Sequence, residues 1–177
     1  MTAADRELAE VAARLLERVE DPRGGLPQEV FFLVSRLTPL VNVDLLIRNG
    51  RGQILLTWRA DEFYGPGWHI PGGIVRFKES FARRIEVVAR TELGASVRFD
   101  PDPLTVKVIT HPTRDVRGHF VSLLYRCELL TSPDRNLECA CGAPANGQWR
   151  WHDRCPEDLI RAQEVYRPHL EPNPEHP

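Results

Sequence analysis

An α+β or layered α/β/α architecture, with a mixed sheet among helices and an extra helix at the N-terminus, is what this 177-residue chain predicts. Three patterns carry the prediction. Helical apolar periods alternate with β-rich runs, two of those runs flank an Asn-Gly turn, and a glycine-rich turn leads directly into a well-bounded helix. No internal repeat and no composition shift divides the chain between two cores. The expected organisation is therefore an N-terminal amphipathic helix and linker over residues 1–26, one domain over 27–170, and a solvated tail over 171–177.

Residues 5–20 place Leu8, Val11, Ala12, Leu15, Leu16 and Val19 at helical spacing with charges opposite, so they form an amphipathic helix. The Asp-Pro-Arg-Gly-Gly stretch from Asp21 breaks it, and Pro27 sits where a second, shorter helix would start. VNVDLLIR (41–48) and QILLTWR (53–59) flank Asn49-Gly50, which predicts an antiparallel hairpin. Residues 79–93 are helical, and Gly94 occupies the position of a left-handed helix stop. Strands are expected at 104–111, 119–130 and 148–152, followed by a closing helix within 156–170.

A composition of 42% hydrophobic and 27% charged residues is that of a soluble globular protein able to bury a core. The formal net charge of −2 argues against a nucleic-acid arm or a polybasic membrane surface, both of which need concentrated Lys and Arg. The early acids match neither a secretory signal nor a transit peptide, and no apolar run is long enough to cross a bilayer, so a cytoplasmic location is expected. Cys127, Cys139, Cys141 and Cys155 then read as reduced thiols; a zinc site from Cys139, Cys141, His152 and Cys155 would need a spacing that fits no standard pattern.

The chemistry concentrates in GWHIPGG (67–73) and the helix behind it. Taken alone, Gly72-Gly73 could be any tight turn. In the helix, Phe81, Ile85, Val88 and Ala89 make an apolar stripe, while Glu79, Arg83, Glu86 and Arg90 share a face suited to solvated ion pairs. Glu92 falls back onto the apolar stripe, near a helix end whose dipole disfavours a negative charge. A carboxylate there must be exposed, paired with a cation, or bound to a metal.

The spacing of Gly73, Glu79, Glu92 and Gly94 resembles the Nudix hydrolases, whose signature runs Gly, five residues, Glu, seven residues, Arg-Glu, an apolar residue, any residue, Glu-Glu, any residue, Gly. Here Arg-Glu has become Val87-Val88, and the first acid of Glu-Glu has become Thr91. The GDP-mannose mannosyl hydrolase branch departs from the signature in a related way. RLTPLVNVD (36–44), the strand ending in Arg59, GWHIPGG and WRW (149–151) also resemble that branch in the same order, so the likeness spans roughly residues 28–165.

The resemblance implies a Nudix-like α/β/α sandwich and a Mg²⁺-dependent hydrolase, with Mn²⁺ as an alternative ion. The substrate would be a GDP-mannose-like nucleoside diphosphate sugar, cleaved by water at the anomeric carbon to release sugar and nucleoside diphosphate. One ion is expected, because Val88 cannot coordinate anything. By carry-over, the Gly73 carbonyl and Glu92 would bind the metal, Arg59 would contact the diphosphate, Asp44 would face the substrate and His111 would sit near the leaving phosphate. Arg76 is a candidate substitute for an arginine that the branch carries where this chain has Ile74, and Glu79, His119 and His152 are candidates for proton transfer.

Ala145 and Asn146 stand where the branch has a Gln metal ligand and a His general base. Two alternatives therefore stay open: P–O cleavage of a nucleoside diphosphate derivative, and a Nudix-fold binding protein with little turnover. The sequence is also compatible with a homodimer.

Overall fold

The computed structural model describes residues 2–171; most of the expected tail, 172–177, lies outside the described residues. Helices α1 (Ala3–Leu16), α2 (Gln28–Leu37), α3 (Phe81–Leu93) and α4 (Arg167–Leu170) accompany eight strands. These are β1 (Leu40–Ile47), β2 (Ile54–Arg59), β3 (Gly67–His69), β4 (Gly72–Ile74), β5 (Val97–Phe99), β6 (Thr105–Thr110), β7 (His119–Leu129) and β8 (Trp149–His152). A five-stranded sheet runs β4-β1-β7-β5, with β6 also paired to β7, and a three-stranded sheet runs β3-β2-β8. The larger sheet is mixed: β1 and β7 are parallel, and its other pairings are antiparallel.

The Asn-Gly hairpin is present only at its tip. The amide of Asn49 donates to the Gln53 carbonyl, and a single bridge joins Arg48 to Ile54. Beyond that bridge the strands part into different sheets. β1 has both edges occupied, by β4 and β7, so β2 must find its ladder with β3 and β8. β1 also carries buried residues almost throughout, as expected of a strand covered on both faces.

The closing helix differs from expectation as well. Residues Arg161–Tyr166 form a 3-10 segment, and only Arg167–Leu170 continue as α-helix. Gln163 explains the arrangement: its Oε1 accepts from the Ile70 amide at 2.6 Å, while its Nε2 donates to Asp44 and to the Ile70 carbonyl. The segment is thus fixed by side-chain bonds into the sheets rather than by its own helical period.

One apolar core lies under α3, where Ile85, Val88, Ala89 and Leu93 pack on Val43, Leu45 and Leu123. A second gathers Leu46, Ile54, Leu56 and Trp68 beneath Tyr166 and Leu170. The N-terminal helix is formed and carries a capping box at Thr2 and Asp5, yet none of its described residues is buried. Helix α3 is capped by the Ser80 side chain on the Arg83 amide, and Gly94 ends it at φ 62°, a left-handed stop.

Candidate functional site

The stretch GWHIPGG folds as two short strands in different sheets, joined by Ile70 and Pro71, which no periodicity in the sequence indicated. β3 belongs with β2 and β8, and β4 lies along β1. The switch between sheets opens a cleft of about 470 Å³ lined by residues from both, including Asp44, Arg59, His69, Gly72, Gly73 and Glu92.

Close approach explains the glycine pair. A Cβ on Gly72 would lie 2.4 Å from Asp44 Oδ1 and 2.9 Å from the Val43 carbonyl oxygen, and a Cβ on Gly73 would lie 2.8 Å from Val88 Cγ2. Register decides where their backbone groups point. Val43 pairs with Gly73, flanked by ladder bonds from the Leu45 amide to the Pro71 carbonyl and from the Val75 amide to the Val41 carbonyl. Antiparallel alternation therefore turns Gly73's amide and carbonyl toward β1 and Gly72's away from it. On that outward side, the Gly72 amide helps to hold the Glu92 carboxylate in its charged form.

Glu92 retains 28% exposure of its side chain into the cleft, but its carboxylate sits deep enough for burial to push its pKa up to about 7. The Gly72 amide, Arg59 and Thr57 oppose that rise. Thr57 Oγ1 donates to Glu92 Oε2 at 3.4 Å, a long bond, and no guanidinium or ammonium pairs with this carboxylate among the described residues. This is an under-compensated acid facing a cleft, and it suits a hard cation. No group of three or more His, Cys, Asp or Glu side chains is arranged to hold a metal among the described residues. An ion at Glu92 would therefore take its other ligands from backbone oxygen, water and substrate.

Glu79, just before the helix, and Thr91 within it are occupied elsewhere. Glu79 pairs with Arg84 at 2.7 Å, both side chains largely buried, and accepts the Arg76 amide. Although burial raises its pKa, these partners leave it lowered overall. Glu79 is thus tied to Arg84 and does not belong to the solvated face that the sequence suggested. Thr91 Oγ1 returns a hydrogen bond to the Val87 carbonyl at 2.8 Å.

Asp44 is buried, and burial pushes its pKa up to about 6 despite hydrogen bonds that favour its charged form. Ser122 donates to its Oδ2 at 2.5 Å, and Asn42 and Gln163 donate to its Oδ1 at 3.0 and 3.1 Å. It ties β1, β7 and the closing segment together at the floor of the cleft. Arg59 holds Asp61 through Nε–Oδ2 at 2.5 Å at the mouth.

Of the residues expected at the site, Asp44, Arg59, Gly73 and Glu92 line this one cleft, whereas Arg76, Glu79 and His111 lie outside its lining. Arg76 reaches back toward the Arg23 carbonyl at 3.5 Å. Exposed His111 accepts the Thr113 amide at its Nδ1, at 3.3 Å. His152 stacks edge-on against Trp68 at 4.6 Å, and His119 pairs with Thr110 in the sheet. Asn146 does line the cleft, and its Oδ1 accepts the Ala60 amide at 2.9 Å.

One cleft residue to which sequence reasoning assigned no role is His69. It is buried in the cleft wall, with Nδ1 2.8 Å from the Thr57 carbonyl and Nε2 3.8 Å from Glu92 Oε2. Burial, reinforced by Arg59, lowers its pKa to about 4, so the ring is neutral near pH 7. Its pairing with Thr57 across β2 and β3 is a register property, which no local pattern reveals.

The cysteines are all free: Cys127, Cys139 and Cys155 are buried and Cys141 is exposed. Cys139 Sγ lies 2.9 Å from Arg150 Nη2, a polar contact within the fold. No described helix is long and apolar enough to cross a membrane.

This fold, with a carboxylate-bearing helix behind a Gly-Gly turn, defines a Nudix domain, and the NUDIX domain family model matches residues 38–167. The chain belongs to the Nudix family and carries its hydrolase domain; the family typically uses a divalent metal. Among its relatives, the low-salt glycan biosynthesis protein Agl8 of Haloferax volcanii is 30% identical over 125 residues, covering 68% of this chain and 77% of that protein. A MutT Nudix hydrolase from Burkholderia pseudomallei shares the fold at a TM-score of 0.59 and 23% identity, covering 75% of this chain and 98% of the other. A UDP-X diphosphatase superposes at a TM-score of 0.54 with 18% identity, covering 93% and 77% respectively.

Proposed function

We propose that this protein is a Mg²⁺-dependent hydrolase of a nucleoside diphosphate sugar, similar to the GDP-mannose mannosyl hydrolases, releasing free sugar and nucleoside diphosphate. One observation carries the reading: helix α3 offers the cleft a single carboxylate, Glu92, where the full signature would offer several. Val88 is buried in the core, and Thr91 is bonded to its own helix. A lone carboxylate suits one ion on a departing diphosphate, where the ion supplies neutralisation of the charge that develops as the sugar bond breaks. The glycan-biosynthesis name of the 30%-identical relative supports a sugar-linked substrate.

In this reading Glu92 and an outward backbone oxygen of the Gly72-Gly73 turn hold the ion. The ladder geometry favours Gly72 over the Gly73 carbonyl that the resemblance implied. Arg59 meets the diphosphate. Asp44 keeps β1, β7 and the closing segment in place beneath it. His69 Nε2 supplies a lone pair beside Glu92 for a proton from water, a role that the amide of Asn146 cannot take.

That amide also favours a second reading, diphosphate P–O cleavage by the same cleft, because the branch's base is missing at Asn146. Phosphorus NMR on a panel of nucleoside diphosphate sugars with Mg²⁺ separates the outcomes. Nucleoside diphosphate with free reducing sugar is expected. Nucleoside monophosphate with sugar phosphate would establish the second reading, and ligand-induced stabilisation with no product would indicate a binding protein.

A further inference from the structure

Three arginines surround one tyrosine at the mouth of the cleft. Arg59 from β2, with Arg114 and Arg117 from the loop before β7, place their guanidinium carbons 5.0, 4.7 and 5.4 Å from the centre of the Tyr64 ring. Arg59, Arg117 and Tyr64 all line the cleft. Among the described residues the one carboxylate in ion-pair contact with this group is Asp61, and that contact is with Arg59. Three like charges gathered on one ring with one counter-charge repel one another, an arrangement that an incoming anion relieves.

The hydrogen-bond inventory points the same way. Arg117 Nε and Arg114 Nη1 are buried with no hydrogen-bond partner among the described residues. Buried donors left unpaired cost free energy, so such groups ordinarily have an acceptor. Stacking on Tyr64, Phe63 and Phe31 accounts for the position of Arg117 but gives its N–H groups nothing to donate to. Its backbone is fixed, the amide donating to Ser35 Oγ at 3.2 Å and the carbonyl accepting from the Tyr64 hydroxyl at 3.0 Å. The side chain is therefore held in place with its hydrogen bonds still to be made. Ile74 follows the Gly-Gly turn, so the turn brings no cation directly behind it.

We propose that Arg59, Arg114 and Arg117, assembled on Tyr64, form a diphosphate-binding subsite in which Arg117 is the second cation beside Arg59. Asp61 acts as a stand-in anion on Arg59. Its Oδ1 accepts the Phe63 and Tyr64 amides, while its Oδ2 occupies the guanidinium that a phosphoryl oxygen would take. The proposal rests on the nucleoside diphosphate reading above, but it can be tested without turnover.

The test is calorimetric titration of the full chain with inorganic diphosphate, guanosine diphosphate and guanosine, in EDTA so that no metal contributes. Wild-type protein is expected to bind both diphosphates with an affinity that falls as salt rises. Arg117→Ala should weaken both by about tenfold or more, Arg117→Lys should lose less, and guanosine binding should not change. Asp61→Asn keeps an Oδ1 for the two amides but removes the acceptor for Arg59, so it should tighten inorganic diphosphate binding.

Wild-type affinity for inorganic diphosphate in a folded Arg117→Ala protein would overturn the subsite. If that variant does not fold, unchanged or weaker binding by Asp61→Asn would overturn it equally. Arginine-dependent diphosphate binding without hydrolysis of any nucleotide sugar would sink the proposed function while leaving the subsite standing.

Discussion

His69 Nε2 lies 3.8 Å from Glu92 Oε2, and the two atoms face each other as acceptors. The tautomer follows from the other side of the ring. Nδ1 is 2.8 Å from the Thr57 carbonyl, which can only accept, so Nδ1 carries the hydrogen and Nε2 is bare. A bare imidazole nitrogen beside a carboxylate gives the acid no relief. The Thr57 hydroxyl lies 3.2 Å from Nε2 and 3.4 Å from Oε2 but has one hydrogen to give, so one of the two acceptors is left for a proton, a water or a cation from the cleft.

Metal affinity should therefore depend on pH near neutrality. Glu92 must be ionised to bind Mg²⁺, and its metal-free pKa is raised to about 7. The expected result is Mg²⁺ affinity that rises roughly tenfold per pH unit below that value and levels off above it. Titration calorimetry at several pH values checks this, and a flat profile from pH 5 to 8 would count against Glu92 as the ligand.

The same shift predicts a signature in stability. With its folded pKa raised from 4.5 to about 7, Glu92 binds more protons in the folded than in the unfolded chain across that window. The metal-free fold thus loses stability as pH rises through it, up to roughly 3 kcal/mol. His69, whose pKa is lowered from 6.5 to about 4, acts oppositely, its contribution growing as pH rises across its own window. The difference between wild type and Glu92→Gln isolates the carboxylate. In EDTA the variant should gain thermal stability relative to wild type as pH rises from 5 to 7, whereas Mg²⁺ should stabilise wild type alone.

Asp44→Ala would strand the buried Ser122 hydroxyl and one of the two Gln163 N–H groups, the other still reaching the Ile70 carbonyl, and would take one acceptor from Asn42, which keeps the Val43 carbonyl and Ser122. At about 1–3 kcal/mol for each unsatisfied group, with partial relaxation, a loss on the order of 3 kcal/mol is expected. Denaturant unfolding measures it. A loss below roughly 0.5 kcal/mol, the size of an ordinary surface substitution, would show that the network is not holding β1 to the closing segment.

Gly72→Ala should be damaging although the change adds one methyl. Its Cβ would collide with Asp44 Oδ1 and the Val43 carbonyl, and backbone cannot move aside as a flexible side chain can. A cost of about 1–3 kcal/mol is expected, together with weaker Mg²⁺ binding as β4 shifts from Glu92. Unchanged metal affinity would dissociate the turn from the metal site.

Much of this arrangement was legible in the sequence because it is local. The period of α3, its stop at Gly94 and the spacing from Gly73 to Glu92 depend on neighbouring residues alone, and they placed a carboxylate beside a glycine turn. What local pattern could not supply was pairing. The Asn-Gly turn was readable, but the separation of β1 and β2 into two sheets depends on β4, β7, β3 and β8 competing for their edges. His69 and Arg117 escaped notice for the same reason. Their partners Glu92 and Tyr64 are distant in sequence, and three-residue strands such as β3 and β4 are too short to show a period.

The most direct test of a single-metal site built on Glu92 is phosphorus NMR of a nucleoside diphosphate mannose incubated with Mg²⁺ and either wild-type protein or Glu92→Gln. Wild type should yield nucleoside diphosphate. The variant should lose more than the roughly 10- to 100-fold that a partner outside the metal's ligand set would cost. Nucleoside monophosphate with sugar phosphate as products, or turnover by Glu92→Gln at the wild-type rate, would contradict the account.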